Sequence, residues 1–353
     1  METEKQKHSG FLKALSDIYR GIATARRRAY DRGVKRHFRL PRPVISVGNL
    51  TIGGTGKTPV VLYLSQKLSG WARLAILSRG YGRKSPRSYL TINDPRHLDS
   101  SACEIFGDEP VMLAHNLPDN VSIHVGPKRH KLGLMALERG PVDLFVLDDG
   151  LQHMELLRDI DIILLDGQVD PRLLETLPAG PLREPPEILN RADIVWINHC
   201  NEDGSHAIEE SWLHDTAPDA IIVKSRAVPD DIFTLDSEIP LERDRLPEGK
   251  LAAFCGIGKP ESFYNTLAAA GISIGYRQSF PDHYQYTRKD IVRLQQCAAD
   301  HGCRALITTE KDAVRIDQYM KLDMTVYILK LRLEILEGEE AMWERIGEAI
   351  RLE

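Results

Sequence analysis

Short apolar runs punctuated by glycine, proline or charge recur along this chain, and between them apolar residues fall at helical spacing. Residues 44–47, 74–77, 121–125, 142–147, 162–165 and 192–197 read as strands, most of them apolar on both faces and so buried within a sheet. Helical patterns follow from Pro59 to about Ser69-Gly70 and from about Lys128. Strand and helix taken in turn predict an α/β fold, a parallel sheet with helices on both faces.

The alternation lapses between about 200 and 248, a polar stretch with short apolar pieces such as 220–223. It resumes with a strand beginning at Leu251 and a helix beginning near Pro260; later strands are predicted at 272–276, 305–308 and 326–329, and helices over 288–301 and 339–351. The expected organisation is an N-terminal segment 1–42, a larger domain 43–215, a linker 216–248 and a second, smaller α/β domain 249–353.

A glycine-rich turn joins the first strand of the larger domain to its first helix. Thr51-Ile52-Gly53-Gly54-Thr55-Gly56-Lys57-Thr58 has the form of a P-loop, except that Thr51 stands where the usual pattern begins with glycine. Glycines let backbone N–H groups curl around phosphate oxygens, Lys57 can reach terminal phosphates, and the Thr58 hydroxyl can ligate magnesium. Pro59 suits a first helical turn, where its missing N–H is not needed.

Ligands of parallel sheets sit at the carboxyl ends of the strands. Arg79 and Tyr81 of the Ser78-Arg79-Gly80-Tyr81-Gly82-Arg83 loop, Lys128-Arg129 and Asp148-Asp149 are all expected there. Asp148-Asp149 closes an apolar strand in the manner of a Walker B element, whose Asp helps hold magnesium, and Gln152 and His153 add polar groups beside it. Asp166, after the strand 162–165, is a rival candidate. Residues 177–186 carry too many prolines for a helix or a central strand, and read as a rigid loop bearing Arg183 and Glu184.

Three further polar clusters carry less obvious chemistry. Gly107-Asp108-Glu109-Pro110 has the form of a helix start, and Thr308-Thr309-Glu310-Lys311-Asp312 follows a predicted strand. His283, in Pro281-Asp282-His283, reads as a turn residue or as a base able to take a proton from a hydroxyl once a carboxylate positions it. Spacing does not select that carboxylate.

Composition narrows the class. With 353 residues, 42% hydrophobic and 27% charged, the chain is globular and long enough for two domains. Its five cysteines are scattered, with no C-x-x-C pair and no secretory leader, which favours a reducing setting over a disulfide framework. The net charge of −5 is uneven: residues 1–42 hold twelve Lys or Arg against Glu2, Glu4, Asp17 and Asp31, so that segment is +8 and the rest −13. No run approaches the roughly eighteen apolar residues that span a bilayer. Phe11, Leu15, Ile18 and Ile22 nevertheless fall at helical spacing beside Lys13, Arg20 and Arg26-Arg27-Arg28. Such a basic amphipathic helix docks on an anionic membrane surface or packs on its own domain. The acidic remainder, without a nucleic-acid motif, argues against a nucleic-acid partner.

In order along the chain, the loop 47–59, Ser78-Arg79-Gly80-Tyr81-Gly82, Gly107-Asp108-Glu109-Pro110, Leu147-Asp148-Asp149-Gly150 with Gln152-His153, Leu182-Arg183-Glu184-Pro185, Pro281-Asp282-His283 and Thr309-Glu310-Lys311-Asp312 closely resemble the tetraacyldisaccharide 4′-kinase family. These are membrane-associated lipid A kinases of Gram-negative bacteria. The resemblance implies a larger P-loop domain and a smaller α/β/α domain joined by a short β linker, with the active site in the cleft. It implies ATP and Mg²⁺, transfer to the 4′-hydroxyl of an acylated glucosamine disaccharide 1-phosphate, and a place at the cytoplasmic face of the inner membrane, reached through the N-terminal helix.

By the same resemblance Asp108 and His283 form the catalytic pair, expected from opposite sides of the cleft, with Lys57 also in the chemistry. Residues 51–58 and Arg183 bind nucleotide, Thr58, Asp148 and Asp149 hold the metal, and Arg79, Tyr81, Arg129 and His153 meet the lipid disaccharide. The loop also resembles the deviant P-loop of membrane-positioning switch ATPases. Those carry a lysine immediately before the paired glycines, where this chain has Ile52, and no Asn-Lys-x-Asp marks a guanine-nucleotide switch.

Overall fold

The computed structural model describes residues 2–92, 98, 101–241, 246–317, 320 and 322–350, apart from the side chains of 2–9 and 238. In chain order the elements are α1 (Glu2–Asp31), β1 (Val44–Asn49), α2 (Lys57–Leu68), β2 (Leu74–Ser78), β3 (Leu90–Ile92), α3 (Ala102–Phe106), α4 (Asp108–Asn116), β4 (Val121–Val125), α5 (Arg129–Arg139), β5 (Leu144–Asp148), β6 (Ile160–Asp166) and β7 (Ile194–Asn198). There follow α6 (Glu210–Thr216), β8 (Ile221–Thr234), β9 (Ser237–Leu241), β10 (Lys250–Cys255), α7 (Pro260–Ala269), β11 (Ile274–Ser279), α8 (Arg288–Asp300), β12 (Cys303–Thr309), α9 (Glu310–Ala313), β13 (Val326–Glu337) and α10 (Glu339–Ile350). They form two compact units, one of Met1–Arg79, Pro118–Arg226 and Leu333–Glu353, the other of Gly80–Leu117 and Ala227–Arg332.

In the first unit the strand order is β4-β2-β5-β1-β6-β7-β8, and every neighbouring pair is parallel. β1, β2, β5, β6 and β7 are buried along their whole length. Burial on both faces is why they read as unbroken apolar runs. The sequence order reverses at β1, so its carboxyl end, where the glycine-rich loop begins, lies at the switch point where parallel sheets open to a ligand.

The second unit repeats the scheme at smaller scale, with β11-β10-β12-β13 all parallel. Alternate residues of β10 face opposite ways. Leu251, Ala253 and Cys255 join Phe263, Tyr264 and Leu267 of α7, while Ala252 and Phe254 join Ile291, Leu294 and Ala298 of α8. Thr287 and Asp290 close a reciprocal capping box at the start of α8.

The domain limits read from the sequence differ from these units at two places. Residues 80–117, expected within the larger domain, belong to the second unit, because Ala102, Cys103 and Val111 pack with Val314, and Asn116 donates to Glu310 Oε1 at 2.7 Å. The final helix, expected in the smaller domain, belongs to the first: α10 buries Met342, Ile346 and Ile350, and Arg345 reaches Asp193 at 2.5 Å. The supposed linker holds the whole of the 14-residue β8, and β9, with which β8 pairs antiparallel. β8 is only half buried, and its polar positions conceal the strand pattern.

Helix α1 packs on its own domain along one stripe and leaves another stripe open. Ser16 Oγ donates to Thr176 O (2.7 Å), Tyr19 Oη to Arg183 O (2.8 Å) and Arg26 Nη2 to Gln152 O (2.5 Å), which ties one stripe of the helix to the first unit. Phe11, Ile18 and Ile22, on another stripe, are 60–64% exposed. Among the described residues no helix is long and apolar enough to cross a membrane.

Candidate active site

The glycine-rich loop is shaped from below by β7. Gly56, the residue before α2, lies at φ 75°, and a Cβ there would come within 1.9 Å of Asn198 Nδ2. That nitrogen donates to Thr55 O at 3.1 Å, Ser225 Oγ donates to Asn198 Oδ1 at 3.0 Å, and Trp196 Nε1 donates to Ser225 Oγ at 2.7 Å. A buried chain of hydrogen bonds thus carries the position of β7 and β8 to the loop backbone. Ile52, Gly53 and Gly54 are exposed, which leaves the rim of the loop open to a ligand.

Lys57, the first residue of α2, extends to Asp149, with Nζ 3.0 Å from Oδ1. Asp149 follows β5 directly at φ 56°, a left-handed conformation that Asp tolerates better than most residues. Arg183 grips the same carboxylate with two bonds of 2.6 and 3.1 Å and also donates to Asn49 Oδ1 at 2.9 Å. Burial would raise the Asp149 pKa, but Lys57 and Arg183 outweigh it and hold the group well below the usual carboxylate range. Asp148 is buried and accepts from Ser78 Oγ at 2.8 Å. The rival Asp166 is buried too, with His199 Nδ1 at 3.1 Å.

The proline-rich loop brings Arg183 there by pairing with the chain where it enters the glycine-rich turn. Arg183 N donates to Leu50 O (2.9 Å) and Ile52 N to Pro181 O (2.8 Å). Gln152 Nε2 donates to Arg183 O at 3.0 Å and to the buried Glu184 at 2.9 Å. Arg129, at the start of α5, is buried; burial draws its pKa down while Asp148 and Asp149 oppose the shift. Burial and the neighbouring Arg129 and Arg158 push His153 down to about 3, so it is neutral near pH 7. Arg79 is exposed at the end of β2.

A second cluster lies within the second unit. Gly107 (φ 95°) turns the chain into α4, and a Cβ there would touch the backbone of Tyr81 at 3.0 Å. Asp108, first in that helix, sits where the positive end of the helix dipole favours an anion. His283, itself at φ 60°, places Nδ1 2.8 Å from Asp108 Oδ2, and its ring is 5.6 Å from the exposed ring of Tyr81. Burial opposes ionisation of Asp108, but the bond to His283 and the charges of Arg315 and Lys311 hold it well below the usual carboxylate range. An ionised carboxylate only accepts, so Nδ1 carries the proton and Nε2 is left as an acceptor.

Both members of this pair lie in the second unit, so the expectation that they come from two sides of a cleft is corrected. Residues 80–117 cross over to that unit, which no local pattern announces. Sequence reasoning also missed Asn198 and Arg315. Asn198 ends a fully apolar strand, and Arg315 stands three residues after Asp312, one helical turn away. Those positions are the only signals either residue left.

A glycine-rich phosphate loop at the switch point of a parallel sheet, carboxylates on the adjacent strand end and a carboxylate-oriented histidine together define a P-loop kinase. A family model described as tetraacyldisaccharide-1-P 4′-kinase (LpxK) matches residues 9–351. Tetraacyldisaccharide 4′-kinases of Anaeromyxobacter dehalogenans and Geobacter sulfurreducens are 36% and 38% identical, over 92% and 91% of this chain and 86% and 88% of theirs. The crystal structure of LpxK from Aquifex aeolicus, in complex with ATP, superposes with a TM-score of 0.77 at 32% identity, covering 97% of this chain and 99% of that one. The chain belongs to the tetraacyldisaccharide 4′-kinase family.

Proposed function

We propose that this chain transfers the γ-phosphoryl group of ATP to the 4′-hydroxyl of a tetraacylated glucosamine disaccharide 1-phosphate, as a kinase of lipid A biosynthesis. The observation that carries the reading beyond ATP binding is the 2.8 Å contact between His283 and Asp108. A switch ATPase carries a signature lysine immediately before the paired glycines, and Ile52 occupies that place here.

Phosphoryl transfer asks the protein chiefly for positioning and for charge stabilisation. The amides of residues 53–56 and the Lys57 ammonium bind the β- and γ-phosphates, and Arg183 adds a second cation. Both cations rest on Asp149 here, so incoming phosphate competes with that carboxylate for them. Asp148, Asp149 and Thr58 supply two carboxylates and a hydroxyl, the hard oxygen donors magnesium prefers. Bound magnesium would neutralise phosphate charge as the transfer proceeds. The sugar hydroxyl attacks phosphorus, its proton passes to His283 Nε2, and the bond to ADP breaks. Asp108 holds the imidazole in the required tautomer and stabilises the imidazolium. Arg79, Tyr81, Arg129 and His153 serve the disaccharide, with His153 as a neutral hydrogen-bonding group.

A substrate with several acyl chains stays in its membrane, since each CH₂ withdrawn into water costs about 0.8 kcal/mol. The open stripe of Phe11, Ile18 and Ile22 on α1 suits peripheral attachment to the cytoplasmic face of the inner membrane. Purified protein given ATP, Mg²⁺ and the monophosphorylated lipid disaccharide should add a second phosphate, read by mass spectrometry. ATP hydrolysis without that product would overturn the kinase reading.

A further inference from the structure

We propose that Arg315 is a positioning residue of the transfer reaction, acting through Asp108 on His283; the inference rests on the kinase reading above. Arg315 has a side chain of 0% exposure. Its Nε donates to Asp108 Oδ2 at 3.1 Å and its Nη2 to the same oxygen. Nη1 turns the other way, to Gly256 O at 3.0 Å and Asp312 Oδ1 at 3.2 Å. A guanidinium is a rigid fork, so fixing one edge fixes the other.

The far edge is strongly fixed. Asp312 Oδ1 also receives Gly256 N and Tyr286 Oη, each at 2.9 Å, and Thr309 Oγ1 donates to its Oδ2 at 2.5 Å. His283 N in turn lies 3.3 Å from Gly256 O, the carbonyl that Arg315 holds. Arg315 therefore grips the pair twice, at the carboxylate that orients the imidazole and at the backbone carbonyl beneath the histidine. A residue needed for packing alone would not require that double grip on one catalytic pair.

The consequence is chemical as well as geometric. His283 Nδ1 and Arg315 share Asp108 Oδ2, so the guanidinium takes part of the negative charge that would otherwise stabilise imidazolium. Among the described residues, the other charged or titratable groups facing the pair include Asp282, 3.7 Å from His283 Nε2, Lys311, which pairs with Asp282 at 3.4 Å, Asp312, the Cys103 thiol and Tyr81, whose ring is 5.6 Å from that of His283.

The test compares Arg315→Lys, Arg315→Met and His283→Ala singly, and each arginine variant in the His283→Ala background. Arg315→Lys should lower kcat about 10-fold or more with KM for ATP little changed. Arg315→Met should also move the acidic limb of the kcat/KM profile to higher pH, because Asp108 then gives its whole charge to His283. In the His283→Ala background neither variant should lower kcat further. Equal losses in both backgrounds, or an unmoved acidic limb in an active Arg315→Met protein, would overturn the proposal. Full activity of His283→Ala would instead overturn the reading on which it rests. Should the methionine variant not fold, the Arg315 ¹⁵Nε resonance of the wild-type protein should follow the His283 titration. Absence of that response refutes the coupling.

Discussion

Replacing Gly56 by alanine probes how the sheet shapes the phosphate loop. The added Cβ meets Asn198 Nδ2 at 1.9 Å in a backbone of φ 75°. Left-handed alanine costs about 1–2 kcal/mol. Asn198 must also move, and it cannot move alone: it holds Thr55 O and is held by Ser225. Leaving those buried groups unpaired costs about 1–3 kcal/mol. The total of about 2–5 kcal/mol corresponds to a loss of ATP affinity of about 30-fold to several thousand-fold, if the loop must regain its shape to bind. In an Asn198→Ala background the space already exists, so the same change should cost only the left-handed term, about 1–2 kcal/mol. Titration calorimetry with ATP across the four proteins measures the difference. Equal costs of Gly56→Ala in both backgrounds would show that Asn198 does not set the loop.

Lys57→Ala should abolish ATP-dependent product formation, and wild-type turnover would refute the P-loop assignment; His283→Ala should slow the chemical step about 10²- to 10⁴-fold in single-turnover assays. His124 is buried and pushed down to about 4 by burial and by Arg139, so the folded protein resists protonating a group that the unfolded chain protonates near 6.5. Its contribution is therefore complete above about pH 6.5 and is lost as pH falls towards 4, on the order of 3 kcal/mol, and His124→Gln should flatten urea-measured stability across that window. Ile18→Asp with Ile22→Asp should reduce sedimentation with anionic vesicles about 10-fold or more without lowering Tm, since both side chains are exposed. Ser16→Ala should lower Tm and leave vesicle sedimentation unchanged, because Ser16 bonds to Thr176 and to Ala179 of the proline-rich loop within the first unit.

The local structure of this chain was legible in its order of residues. Buried parallel strands need apolar side chains on both faces, so β1, β2, β5, β6 and β7 declared themselves, and β1 ran directly into the loop at 51–58. Half-buried strands do not carry that signature, and β8 and β13 extend well beyond their apolar pieces. The shift of β11 to Ile274–Ser279, two residues past expectation, has the same origin, since its positions are only partly covered.

What a motif does next depends on which distant residue comes to meet it, and side-chain pairing across 175 positions, as between Asp108 and His283, leaves no periodic trace. Family resemblance named that pair, while the fold placed it within one unit, brought Arg315 beneath it and set Asn198 under the loop. Those contacts follow from long-range packing of residues 80–117 and of α10, whose apolar faces are complete only against partners far along the chain. Hydrophobic period is a property of neighbours in sequence; the orientation of a buried carboxylate or guanidinium is a property of neighbours in space.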